Sequence, residues 1–247
     1  MASFVLVHGA WAGGFVWKSV RPLLWSAGHA VFTPTLTGVG ERVHLGTPET
    51  NLSTHIEDVV NVIEYEDLRD LVLVGYSYGG MVVTVVVDRV PDRIAHLVYL
   101  DAFLPNDGQS IYDLGGSSGA PVEGEDWRTR RQRPPATGVA QAARMARITT
   151  HPRGCFEEKV RLSVPLEERP FTRTYIKAGL GMMMAGGQGP GERRGHFWEA
   201  AERTRNDPAW RYYEIAATHG APFEAPLVIA GILRQLVEMA TPLFTPA

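Results

Sequence analysis

A chain of 247 residues, 45% apolar and 21% charged, can bury one sizeable core and has the composition of an ordinary globular protein. A formal charge of −3 gives nucleic acid or an anionic membrane surface little to hold, and no apolar run reaches the length of a membrane span. The single cysteine, Cys155, excludes an internal disulfide, and with a strand expected from Ser3 and no leader ahead of it the chain reads as cytoplasmic.

In chain order, Phe4 to Val7 is a continuous apolar run that suits a strand buried on both faces, and it ends in His8-Gly9-Ala10-Trp11. Trp17, Val20, Leu23 and Leu24 recur at helical spacing, with Gly28 placed to stop that helix. Ala30 to Phe32 is a short second strand halted at Pro34. Thr54 and Glu57 form a capping-box pattern ahead of Ile56, Val59, Val60 and Ile63, one apolar helix face. Leu71 to Val74 is the next buried strand. It breaks at Gly75, and Met81 to Val87 resumes as a buried helix.

Leu97 to Leu100 is another strand, ending at Asp101. From Pro105 to about Pro170 the periodicity breaks down into Gly-, Pro-, Ser- and Arg-rich sequence. Strands return at Thr174 to Ile176 and Tyr212 to Ile215, and the last helix runs from about Ala225 to Met239. Strands alternating with helices predict an α/β fold: a mostly parallel sheet covered by helices on both faces. The chain therefore reads as one domain, 1–247, with 106–170 inserted over the carboxyl ends of the strands as a cap.

Between the third strand and its helix lies Gly75-Tyr76-Ser77-Tyr78-Gly79, a G-x-S-x-G pentapeptide. A strand, a sharp turn and a helix in that order hold a serine hydroxyl out at the top of a sheet. Glycines two residues either side of Ser77 fit a turn too tight to admit a Cβ. The segments FVLVHGAW, LVGYSYGGMV and LVYLDAFLP resemble the α/β-hydrolase family, in particular the branch of plant methylesterases and hydroxynitrile lyases with their small bacterial relatives. The resemblance spans nearly the whole chain. It implies a serine-hydrolase mechanism with no metal and no organic cofactor, and it puts the insertion between the sixth and seventh strands by the family's count.

A serine hydroxyl needs an adjacent base. His219, in Ala-Thr-His-Gly after the last strand, stands where this fold places it; His8 reads as structural, and His29, His44, His55, His96, His151 and His196 have no reason to converge on Ser77. Two backbone amides are expected to face the oxyanion: that of Tyr78, after the nucleophile, and, by resemblance, that of Ala10. The acid is the departure from pattern. The family's common position, the loop after Thr174–Ile176, opens Lys177-Ala178-Gly179 with no carboxylate. Some members of the fold place the acid after the preceding strand, where Asp101 stands, so the resemblance makes Asp101 the assignment, with Glu192 the runner-up and a missing acid the remaining alternative.

In the lyases that the branch resembles, a threonine follows the first histidine and a lysine the catalytic one; here those positions are Gly9 and Gly220, so cyanohydrin cleavage is disfavoured. The expected activity is hydrolysis of a small apolar or aromatic ester or lactone, with Trp11, Tyr76 and Trp127 as candidate substrate contacts. The alternative is a non-hydrolytic binding or biosynthetic protein, or a lyase, with a modified triad. The run Arg128, Arg130, Arg131 and Arg133 reads as a solvated loop, and the Met- and Gly-rich stretch 179–195 as a surface loop or a flap. The expected partner is a small molecule, with no nucleic acid or membrane and with a homodimer left open.

Overall fold

The computed structural model describes residues 1–131, 138–180 and 195–240. Six strands form the main sheet: β1 (Ser3–Val7), β2 (Ala30–Phe32), β3 (Leu71–Tyr76), β4 (Ile94–Leu100), β8 (Thr172–Ala178) and β9 (Trp210–Ile215). They lie in the order β2-β1-β3-β4-β8-β9, every neighbouring pair parallel. All six strands expected from the apolar runs are present. β1, β3 and β4 carry few polar residues because the sheet is covered on both faces, by α2 (Leu52–Tyr65), α3 (Gly79–Arg89) and α6 (His196–Arg205) on one side and α1 (Arg21–Trp25) and α8 (Pro226–Ala240) on the other.

Two helix starts differ from expectation. The Trp17–Leu24 periodicity is split into a 3₁₀ turn, Gly14–Trp17, and α1, whose first turn contains Pro22; Trp17, Val20 and Leu24 are nonetheless fully buried. The cap of α2 is Asn51, one turn earlier than Thr54: its side chain accepts from the Thr54 amide at 3.1 Å while the Thr54 hydroxyl takes the Asn51 amide at 3.3 Å. Thr54 is thus the inner partner of the box and Glu57 is free to pair with Arg89.

The segment between β4 and β8, the fourth and fifth strands of this chain's main sheet, is more regular than its sequence. Strands β5 (Ala120–Val122), β6 (Glu125–Arg130) and β7 (Thr150–Pro152) make a small antiparallel sheet, accompanied by short helices α4 (Val139–Met145) and α5 (Gly154–Glu157). It is tied to the main body through the Trp11 carbonyl, which accepts from the Thr149 amide at 2.9 Å, and through Phe156 in the core. A further short helix, α7 (Ala221–Glu224), precedes α8. No helix among the described residues is long and apolar enough to cross a membrane.

Candidate active site

Ser77 sits in the turn between β3 and α3 with φ +55°, a left-handed conformation that a side-chain-bearing residue adopts only when its surroundings enforce it. The enforcement is steric and local. A Cβ on Gly75 would come within 2.6 Å of Val83 Cγ2, and one on Gly79 within 2.8 Å of the Val7 and His8 carbonyl oxygens. Both glycines are therefore required for strand, turn and helix to pack this closely.

Backbone hydrogen bonds then weld the turn to the end of β4. The Ser77 amide donates to the Leu100 carbonyl at 3.3 Å, and the Phe103 amide donates to the Ser77 carbonyl at 3.1 Å. Asp101, immediately after β4 and also at positive φ (+42°), donates its own amide to Ile176 of β8 at 2.8 Å.

His219, between β9 and α7, meets both. Its Nδ1 lies 2.6 Å from Asp101 Oδ2 and its Nε2 lies 3.0 Å from Ser77 Oγ. An ionised carboxylate only accepts, so Nδ1 carries the proton and Nε2 is left to accept from the serine hydroxyl. The structure thus brings together Ser77, His219 and Asp101, whereas Glu192 lies outside the described residues, as do Met182 to Met184 and most of the glycine-rich stretch. Ser77 is part-exposed and Asp101 is 1% exposed, so the hydroxyl end of the chain is accessible and the acid end is dry.

Burial alone would raise the Asp101 carboxyl. The hydrogen bond and charge of His219, with the ammonium of Lys177 on the other oxygen, outweigh it and hold the group below the usual carboxylate range. Lys177, at the end of β8, donates to Asp101 Oδ1 at 2.5 Å. The His219 ring is flanked by two aromatic faces: Phe197 of α6 at 4.9 Å and nearly parallel, and Tyr76 at 5.1 Å.

The amides of Ala10 and Tyr78 donate to no other described residue. The Tyr78 side chain points away from the turn into the core. It is 1% exposed, and its hydroxyl lies 2.9 Å from His55 Nδ1. Tyr76 is also buried, with its hydroxyl donating to the His219 carbonyl at 2.5 Å, so it holds the histidine loop from behind. Trp11 is stacked on Phe156 at 5.3 Å, with its amide donating to His151 Nδ1 at 3.0 Å. Trp127 lies on β6 with the Arg128 guanidinium 4.0 Å over its ring and Gly46 beside it.

His8 is structural in this geometry: Nδ1–H donates to the Gly9 carbonyl at 2.8 Å and Nε2 accepts the Leu36 amide at 3.0 Å, joining the exits of β1 and β2. His55 and His151 make no contact with Ser77, but both are fully buried and pack against the Tyr78 ring. With Cys155 they form a cluster whose potential ligand atoms lie within 4.8 Å of one another. The commitments of His55, whose Nε2–H donates to the Thr37 carbonyl at 2.7 Å while Nδ1 accepts from Tyr78, suit a support of neutral hydrogen-bonded groups. Burial pushes the Cys155 thiol up and His8 and His55 down to about 4, which fits that neutral state.

Sequence reasoning missed a neighbour of the histidine, Phe197, and a partner of Asp101, Lys177. Phe197, with Trp198 and Ala201, marks an apolar stripe on α6 that the glycine-rich stretch before it obscures. Lys177 was read only as the opening of a loop without an acid.

Comparison with known proteins places this geometry in context. A carbendazim hydrolyzing esterase of Nocardioides sp. (strain SG-4G) is 55% identical over 114 residues, 46% of this chain and 47% of that protein. Methylesterase 8 of Arabidopsis thaliana is 30% identical over 125 residues, 50% of this chain and 46% of that one, so these matches span about half of each relative's length. An extracellular alpha/beta-hydrolase from a Paenibacillus species, described as sharing structural and functional homology with tobacco Salicylic Acid Binding Protein 2, superposes with TM-score 0.75 at 24% identity. That superposition covers 98% of this chain and all of the other (100%), and at that identity it speaks for the fold. With the family model matching residues 4–232, and the strand order and serine turn in agreement, the chain belongs to the alpha/beta hydrolase family.

Proposed function

We propose that the protein is a serine hydrolase that cleaves a small apolar or aromatic ester or lactone through an acyl-enzyme on Ser77. The observation that carries this reading is the unbroken chain from Ser77 Oγ through the His219 ring to Asp101, at 3.0 and 2.6 Å. His219 Nε2 removes the hydroxyl proton as Oγ attacks the carbonyl carbon, and the tetrahedral oxygen settles between the amides of Ala10 and Tyr78. The imidazolium then returns its proton to the departing alcohol. Water, deprotonated by the same nitrogen, releases the acid. Asp101 fixes the ring's tautomer and faces the imidazolium while it exists.

Residue types around Ser77 support hydrolysis over cyanohydrin cleavage. Gly9 packs so tightly that a Cβ there would lie 2.9 Å from Ser77 Cβ, and a Cβ on Gly220 would meet Glu224 Oε1 at 2.6 Å; neither position offers a hydroxyl or an ammonium. The aromatic groups Phe103, His196 and Phe197, in mutual ring contact with Phe197 stacked on His219, favour an apolar or aromatic substrate. Names among the relatives, an esterase acting on carbendazim and a methylesterase, are in keeping with ester cleavage. The test is turnover of short p-nitrophenyl esters, aryl esters and carbendazim by wild type and Ser77→Ala. Wild-type hydrolysis of at least one of them, abolished in the variant, is expected. Turnover that survives in Ser77→Ala would refute the reading.

A further inference from the structure

Lys177 is a charged side chain in a place where charge is expensive. It is 2% exposed, and its ammonium donates to Asp101 Oδ1 at 2.5 Å and to the Ala178 carbonyl at 2.8 Å, with the Trp198 ring 4.4 Å away. The chain uses arginine 21 times and lysine three times, so a lysine here is not a compositional habit. A compact ammonium can serve three partners in different directions, which a planar guanidinium cannot. The two strands that bring the pair together, β4 and β8, are neighbours in register, with Leu100 opposite Ile176.

We propose that Lys177 is a positioning residue of the triad: it holds one oxygen of Asp101 so that the other faces His219, and it neutralises an acid that has no water to solvate it. The proposal rests on the hydrolase reading above. Without a cation, a carboxylate this buried is driven toward its neutral form by desolvation, and a protonated acid no longer fixes the Nδ1–H tautomer of the histidine. Lys177 acts with the hydrogen bond and charge of His219 in reversing that balance. It also offsets part of the acid's charge as seen by His219, so the imidazolium formed in the reaction leans on something else as well. The faces of Phe197 and Tyr76, on either side of the ring, provide it, because an aromatic face is the negative end of its quadrupole.

The groups facing Asp101 are His219 from the loop after β9, Lys177 and Tyr175 from β8, Tyr76 from β3 and His196 from α6. Burial raises both tyrosines above their ordinary range and lowers His196 to about 4, so none of these three changes charge across neutral pH.

The experiment is the pH dependence of kcat and KM for a p-nitrophenyl ester in wild type, Lys177→Met and Lys177→Gln, with Ser77→Ala as control. Loss of the ammonium favours proton uptake by the Asp101–His219 pair as a whole, so the acidic limb of kcat, where the base Nε2 becomes protonated, should move up by about 1 pH unit or more in Lys177→Met. KM should stay near wild type, because Lys177 does not reach the substrate. Lys177→Gln restores a donor without the charge and should show the same displaced limb. A folded Lys177→Met with its acidic limb in the wild-type position overturns the proposal.

Should Lys177→Met fold but melt too low for kinetics, the double variant Asp101→Asn/Lys177→Met carries the test. It should melt above Lys177→Met, because both charges are gone. A double variant melting at or below the single one overturns the proposal as well. Failure of the hydrolase reading shows separately, as turnover retained in Ser77→Ala, and leaves the melting comparison of the charge pair intact.

Discussion

At Ser77, Asp101 and Trp11 the backbone sits at positive φ, three strained residues on the two turns and the β4 exit that surround the candidate site. The strain places side chains, and the hydrogen bonds around it hold them there. Tyr76 illustrates the point, because its hydroxyl on the His219 carbonyl is remote from the reacting atoms yet sets where the ring stands. Tyr76→Phe removes that bond; at about 1 kcal/mol net, kcat should fall about fivefold with KM unchanged in steady-state assays. Asp101→Asn should do far more. Turnover is expected to drop roughly ten-thousandfold as the tautomer is lost. Lys177 is then left as an unpaired buried charge, and urea denaturation should register a loss of about 3–5 kcal/mol.

Among the elements, the strands and the serine turn were legible in the sequence because their causes are local. A continuous apolar run specifies a doubly covered strand, and two glycines at fixed offsets specify the turn. The carboxylate beside His219 was legible only as a choice between Asp101 and Glu192, since which strand exit meets the imidazole depends on tertiary packing. In the structure it is the exit of β4, where Asp101 stands, that meets the ring.

The small sheet of the inserted segment was not legible. β6 reads Glu-Asp-Trp-Arg-Thr-Arg, without apolar alternation, and its partners are three residues long. The α2 start was misplaced by one turn because Thr54 and Glu57 satisfy the same pattern as Asn51 and Thr54, and only backbone geometry separates them. Asn51→Ala should therefore destabilise the protein by about 1 kcal/mol, measured by urea denaturation.

Taken whole, the molecule gathers Ser77, Asp101 and His219 at the carboxyl ends of β3, β4 and β9 and supports the turn from behind with neutral histidines. That support has a pH consequence. Burial, by desolvation, lowers His8 and His55 to about 4, whereas in the unfolded chain each titrates near 6.5. Below 6.5 the unfolded state binds protons that the folded state refuses. The stabilising contribution is thus complete above 6.5 and is lost as pH falls toward 4, on the order of 3 kcal/mol for each histidine at the bottom of that window. His151, also lowered by burial, acts in the same direction. Calorimetry should show the melting temperature nearly level above pH 7 and falling steeply between pH 6.5 and 4. A flat profile through that window would mean that these rings are hydrated in solution.

The central claim is that Ser77 is a nucleophile activated by His219, and intact-mass analysis after exposure to a fluorophosphonate measures that directly. The account predicts one covalent adduct per chain, mapped to Ser77, absent from Ser77→Ala and strongly slowed in His219→Ala. An unmodified wild-type protein, or an adduct that persists at full rate when either residue is replaced, would contradict it.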